Sequence, residues 1–362
     1  MRDDFIIQRI KRIMHTALGK LGNDKQCALL NYPFHFNFGD HFIWLGEIFY
    51  LTDIINMKIN YTASYKDFSA EEMEKMIGKA PILLNGGGNL GDLWSREGKF
   101  ITQIISKYHD RQIIVLPQSI YYTNQENLEK DANLFNAHPD LTLCVREKHS
   151  YDLALKHFSR CNVIMAPDMA FQLVNTPGLS LIPKRKQFIL YLNRNDKEAD
   201  KRFSPHSLDL DNLAVQDWVS FKWICKNPIP VRGAARFIRE FWQRGLSGPM
   251  QWISRKRWEY FHSYTSKFNT LYGSSMHRRS WGFLHDAICQ LNGYRLVITD
   301  RLHGHILCIL LGIPHIFLPN TYYKNESFYK TWTHQISFCR FVKDPSQVKL
   351  AAQELLELSR SR

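Results

Sequence analysis

The chain has 362 residues, 44% of them hydrophobic and 22% charged, which is globular composition with length for two ordinary domains. Its net charge of +13 suits an anionic partner: nucleic acid, an acidic membrane face or a small acidic substrate. Seven scattered cysteines with no C-x-x-C pair exclude a disulfide framework and point to reduced thiols in a cytoplasmic protein.

At the start of the chain, Ile6, Ile10, Ile13, Met14 and Leu18 recur at helical spacing, which predicts an amphipathic helix and not a secretory signal. No run reaches the ~18 apolar residues that a spanning helix needs. Over residues 26–170, short apolar runs (CALLNY, APILLN, QIIVLPQ, LTLCV, NVIMAP) alternate with helical patterns. That alternation predicts a parallel sheet covered on both faces. The Pro/Gly-rich stretch 175–186 reads as a linker. The pattern then resumes in FILYLNR, YRLVITD, HIFLP and CRFV. The expected fold class is α/β: two Rossmann-like domains facing a cleft, at 1–180 and 181–345, with a C-terminal helix in 346–362. Within the second, residues 218–268 form a basic, Trp-rich insertion with ten Lys/Arg against two Glu and five of the nine tryptophans.

In doubly wound sheets, ligands bind beyond the carboxyl ends of strands. Polar residues collect there repeatedly: Asn37 and Asp40, then Gly87, Gly88, Asn89 and Asp92, then Gln118, Arg146, Asp168, Arg194, and the knot Arg301–His303–His305. One shared site is the expectation. The glycine run formally matches a dinucleotide fingerprint, but the following strand ends in Pro117 and Gln118 where a ribose-binding acid belongs. It reads as a tight strand-to-helix turn, or as close backbone approach to a ligand with helix amides facing an anion. His303 and His305 have no accompanying ligand set, so no metal is expected. No motif points to nucleic acid. Arg301 offers a planar fork for carboxylate or phosphate, and histidine exchanges protons near neutral pH. The knot is thus an anion site with an attached acid, or an arginine satisfying strand-end carbonyls beside a packed histidine.

Asn37-x-Gly39-Asp40, NGGGNLGD, LPQSI, Val145-Arg146-Glu147, Ala166-Pro167-Asp168, ITDRLHGHILCILLGIP and Asn320-x-Tyr322-x-Lys324 follow one another in this chain. In that order they resemble the polysaccharide pyruvyl transferase family over most of residues 26–345. The 218–268 stretch has no counterpart in the pattern. The resemblance implies a glycosyltransferase-B-like fold. It also implies transfer of the carboxyvinyl unit of phosphoenolpyruvate onto two hydroxyls of a sugar, in a surface polysaccharide or its lipid-linked precursor. Phosphoenolpyruvate is then a donor substrate, and neither cofactor nor metal is implied. Arg301 and His303 match the family's arginine and histidine. Arg194 or Arg146, with Arg194 favoured, is the second donor-binding arginine, and Lys324 assists. His303 is the expected acid, and Asp40 or Asp168 the expected base. His305, Asn37, Gly87, Gly88, Asn89, Asp92 and Gln118 are expected to line the substrate site. A B-type glycosyltransferase using a nucleotide sugar is the alternative.

The expected place of work is the cytoplasm, at the inner face of the plasma membrane. Phe237, Phe241 and Trp242, flanked by Arg236, Arg239, Arg255, Lys256 and Arg257, would dock there. Packing of these aromatics onto the second domain, or binding of an acceptor diphosphate by the arginines, are the other readings.

Overall fold

The computed structural model describes residues 2–23, 25–176, 179, 188–205, 208–218, 238, 241–242 and 247–360. It contains two parallel sheets. The first comprises β1 (Gln26–Leu30), β2 (Lys58–Ala63), β3 (Ile82–Leu84), β4 (Gly87–Gly91), β5 (Ile113–Tyr121), β6 (Leu141–Val145) and β7 (Asn162–Met165), in the order β2-β1-β3-β5-β6-β7, with β4 added to the far end of β5. The second comprises β8 (Ile189–Leu192), β9 (Leu213–Gln216), β10 (Leu296–Thr299), β11 (His315–Phe317) and β12 (Cys339–Phe341), in the order β12-β11-β10-β8-β9. Chain order reverses between β1 and β3 in one sheet and between β8 and β10 in the other. Those reversals are where open α/β sheets leave a crevice beyond the strand ends.

The mixed α/β architecture with parallel sheets agrees with the alternating pattern. Burial on both faces explains why the strands read as unbroken apolar runs. Along β1, Cys27 and Leu29 enter one core cluster while Ala28 and Leu30 enter another. Along β8, Leu190 and Leu192 join the first of these clusters, and Ile189 and Tyr191 a third. One apolar layer therefore runs without a break from the first sheet to the second. The helix Arg2–Leu18 sits in it through Ile6, Ile10, Met14 and Leu18, the residues that the spacing singled out.

Two strands escaped the sequence pattern for the same reason. β2 and β9 are edge strands whose apolar runs are interrupted by polar residues such as Lys58, Asn60 and Gln216. The helix Ser274–Asn292 crosses over to the first sheet's helix Phe38–Phe49. Tyr32 donates its hydroxyl to the Met276 carbonyl at 2.9 Å, and the Trp44 indole donates to His277 Nδ1 at 3.0 Å.

The proposed linker at 175–186 lies mostly outside the described residues. So does 219–246, including Arg236, Phe237 and Arg239, apart from Ile238, Phe241 and Trp242. Among the described residues, no helix is long and apolar enough to cross a membrane.

Candidate active site

The carboxyl ends of both sheets open on one cavity of about 620 Å³. From the first sheet it receives Asn37 and Asp40 after β1, Gly88 and Asn89 in β4, and Arg146 after β6. From the second come Arg194 after β8, Asp217 after β9, Arg301 and His303 after β10, and Lys324 after β11. The strand ends thus deliver their polar residues to a common place.

His303 lies in the first turn of the helix Leu302–Leu310, and its side chain packs closely against Gly39. A Cβ at Gly39 would stand 2.1 Å from His303 Nδ1, so only glycine permits this approach. The other ring nitrogen, Nε2, lies 3.4 Å from Asp168 Oδ2, an ion-pair separation without hydrogen-bond alignment. Asp168, one of the two expected bases, lies behind His303 and Arg146 and does not line the cavity. It is fully buried, accepts from Arg146 Nη1 at 2.6 Å, and caps the turn Met169–Asn175 through the Ala170 N–H at 2.8 Å. Burial alone would raise its carboxyl, but His303 and Arg146 outweigh that and hold it well below the usual carboxylate range.

Arg146 is in turn fixed by Ser119, which accepts from Nε at 2.9 Å, and by Trp332, whose indole donates to the Arg146 carbonyl at 2.7 Å. Its remaining nitrogen and Lys324 Nζ both face Gly88, at 3.3 and 3.7 Å from where a side chain would begin. Lys324 donates to Glu198, which also accepts from Arg194 at 2.7 Å and from the Trp94 indole at 3.2 Å. Burial would raise Glu198, yet Lys324 and Arg194 bring it down to about 2. Burial also pushes Lys324 down to about 8, against the pull of Glu198 and with repulsion from Arg194 and Arg146. Arg301 pairs with Asp217 through Nη2 at 2.6 Å, while its Nε is buried without a hydrogen bond. Every cation here is already matched by a carboxylate.

Four residues expected at the substrate lie elsewhere. His305 points into the core, stacked on Phe317 at 4.1 Å and joined to His315 at 2.7 Å and Thr333 at 2.9 Å. The Ile313 carbonyl can only accept, so His315 Nδ1 carries its proton and His305 Nδ1–H donates to His315 Nε2. Asp92 caps the turn after β5 by accepting from the N–H groups of Thr123 and Asn124 at 2.8 and 2.9 Å. Gln118 is wholly buried and braces the glycine run, accepting from the Asn89 N–H and donating to the Asn85 carbonyl. Gly87 belongs to β4 and does not line the cavity.

The glycine run also corrects its own reading, because it is a strand and not a turn into a helix, and the next helix begins at Ser95. Gly91 shows why glycine is needed: its φ is +128°, and a Cβ would stand 1.8 Å from the Tyr121 carbonyl of β5.

His35, Trp94, Glu198, Asp217 and Trp218 line the cavity without having been singled out. Glu198 stands four residues after Arg194, a spacing that could have revealed the pair. Asp217 follows an edge strand that the pattern did not show.

A family model described as polysaccharide pyruvyl transferase matches residues 37–322. Pyruvyl transferase 1 of Schizosaccharomyces pombe is 29% identical over 329 residues, covering 86% of this chain and 70% of its own. EpsO of Bacillus subtilis, provisionally named a pyruvyl transferase, is 26% identical over 343 residues, covering 93% of this chain and 95% of its own. A functionally uncharacterized Klebsiella pneumoniae protein of known structure shares the fold, with a TM-score of 0.57 and 20% identity across 92% of this chain and 98% of that one.

Proposed function

The chain belongs to the polysaccharide pyruvyl transferase family, and we propose that it moves the carboxyvinyl unit of phosphoenolpyruvate onto two hydroxyls of one sugar, forming a cyclic pyruvate ketal. The observation that carries this reading is the convergence of Arg146, Arg194, Arg301 and Lys324 around His303 in one cavity. Because each cation is already paired with a carboxylate, a ligand must offer several negative charges at once to compete for them. Phosphoenolpyruvate, with a phosphate and a carboxylate on one carbon, does so.

The reaction then needs one proton placed on carbon and two removed from hydroxyls. His303 protonates the methylene carbon, and Asp168 behind it steadies the imidazolium before and the imidazole after. The neighbouring carbon becomes cationic and a sugar hydroxyl adds to it, releasing its proton to Asp40. Phosphate leaves, the second hydroxyl closes the ring, and its proton departs with the phosphate. The proton taken by Asp40 returns to His303 through solvent before the next turnover, so that in balance the two hydroxyl protons supply the new methyl group and the phosphate, and no oxidant or reductant is needed. Proton transfer of this kind contributes roughly 10²–10⁴-fold.

The test is incubation with phosphoenolpyruvate and a series of galactoside and N-acetylmannosaminide acceptors. Phosphate release that depends on the acceptor, with an acceptor mass raised by pyruvate less water, is the expected result. Arg301→Ala should raise the donor KM by about 30-fold or more, since losing a charge-assisted partner costs about 2–5 kcal/mol. Transfer from a nucleotide sugar instead would overturn the reading.

The acceptor in the cell is read as a sugar of a surface polysaccharide or its lipid-linked precursor. Docking to an anionic bilayer remains part of this reading, on a set of residues that no longer includes Arg255. The exposed side chains of Trp242, Arg257 and Phe261 support it, whereas Arg255 is buried.

A further inference from the structure

We infer that Asp217 stands in for the donor's carboxylate, and that its contact with Arg301 therefore fixes which end of phosphoenolpyruvate each cation receives. The inference rests on the phosphoenolpyruvate reading and deepens it.

Three observations combine. First, both Asp217 oxygens lie on a single nitrogen of Arg301, Oδ1 at 2.6 Å and Oδ2 at 2.9 Å from Nη2. A guanidinium prefers a carboxylate side-on, with Nε and Nη2 donating in parallel. Here Nε is buried and has no hydrogen bond. The fork is thus held by a carboxylate in a geometry that leaves half its donors unused, which a free ligand carboxylate can improve upon. Second, the holder is weakly committed. The Asp217 side chain is 35% exposed against 9% for Arg301, and it follows an edge strand, β9. Partly exposed pairs of this kind are weak, because solvent screens them. Third, the other cations are held differently. Lys324 and Arg194 share buried Glu198, and Arg146 is locked onto buried Asp168. Those two carboxylates cannot swing into solvent as Asp217 can. Although Arg194 also meets half-exposed Asp196 at 2.8 Å, it keeps Glu198 when Asp196 moves, whereas Asp217 is the one carboxylate on Arg301 among the described residues.

The consequence is an orientation. A donor carboxylate displaces Asp217 and takes Arg301 side-on. The phosphate lies toward Lys324 and Arg194. That places the reacting double bond over the strand end that carries His303, two residues beyond Arg301. Asp217 also acts as a specificity filter, because a monocarboxylate merely exchanges one carboxylate for another at Arg301 and gains little.

Calorimetric titration of wild type and Asp217→Asn with phosphoenolpyruvate, pyruvate and inorganic phosphate tests this without knowledge of the acceptor. Asparagine keeps the side-chain oxygen that accepts from the Trp218 N–H at 2.7 Å, and loses the charge. Phosphoenolpyruvate and pyruvate should both bind about two- to fivefold tighter to the variant, the factor for releasing a pair of this class, and phosphate should not change. A purely structural Asp217 predicts weaker or unchanged binding of all three, which overturns the inference, as does tightening of phosphate without pyruvate. Wild type that binds no phosphoenolpyruvate removes the donor reading itself, and the inference with it. Wild type that binds it, beside a variant that binds it no better, removes the inference alone.

Discussion

The imidazole of His303 lies so close over Gly39 that a methyl group on that glycine would stand 2.1 Å from Nδ1 and 2.6 Å from Cγ. The two residues come from different sheets, Gly39 from the helix after β1 and His303 from the helix after β10. Nε2 is turned to Asp168, and Nδ1 is the nitrogen that lies against Gly39.

Gly39→Ala separates this contact from stability. Alanine in a helix is favoured over glycine by about 1 kcal/mol, so the helix itself should not suffer. The clash falls on the His303 side chain as far back as its Cβ, so the ring must turn away from Asp168 and the two helices must give by a few tenths of an ångström. We expect kcat to fall at least about 100-fold, toward the level of His303→Ala, with a melting temperature within a few degrees of wild type. Near-normal kcat would show that the ring tolerates displacement.

Lys324 supplies a basic limb to the pH profile. Its folded pKa of about 8 lies below the ordinary lysine value, so its charge is present below pH 8 and lost above it. In wild type, kcat/KM for the donor should decline above about pH 8, since that parameter reports the free enzyme. Arginine stays charged throughout, so the limb should vanish in Lys324→Arg. A limb that persists in the variant assigns it to another group.

Asp168 links the site to acid stability. Its folded pKa is depressed, so its contribution is fully present above the unfolded value of about 3.9 and is lost as pH falls below it. Asp168→Asn leaves Arg146 buried without its carboxylate, a loss of about 3–5 kcal/mol at pH 7. Denaturant unfolding of both proteins should show that gap, narrowing below about pH 4. A gap that is constant from pH 7 to pH 3 would rule out the ion pair as its source.

Arg255 corrects the picture of a continuous basic docking face. It is buried, pairs with Glu259 at 2.7 Å and with Asp286, and so joins the helix Ser247–Phe261 to Ser274–Asn292. Lys256 is likewise engaged with Glu259, at 2.6 Å. Arg255→Glu should destabilise the fold by about 3–5 kcal/mol, whereas exposed Arg257→Glu should leave the melting temperature unchanged. Flotation with anionic vesicles should weaken in Arg257→Glu and in high salt. Flotation equal to wild type in that variant would move the docking surface elsewhere.

Much of this was legible in the chain itself. Burial of a parallel sheet on both faces makes each central strand an unbroken apolar run, and a run ending in a polar residue marks a carboxyl end. That logic located Asn37, Arg146, Arg194 and the Arg301–His303 pair. It worked because those residues must sit at strand ends to be held rigidly, and position along a strand is local information. It also found the amphipathic helix Arg2–Leu18, whose apolar face is set by spacing alone.

What the chain could not reveal is which side chains meet across space. His303 and His305 are equivalent in the sequence, two residues apart on one helix. They differ because a helix turns about 100° per residue, so one faces the cavity and the other faces His315 and Thr333 in the core. Arg255 looked like surface charge until Asp286, on another helix, was brought against it. Asp217 was hidden because edge strands bury little and so leave no apolar signature. Its meeting with Arg301 joins two strand ends 84 residues apart. Periodicity is written by burial, and burial is local. Partnerships between charges are decided only when the two sheets close on one cavity.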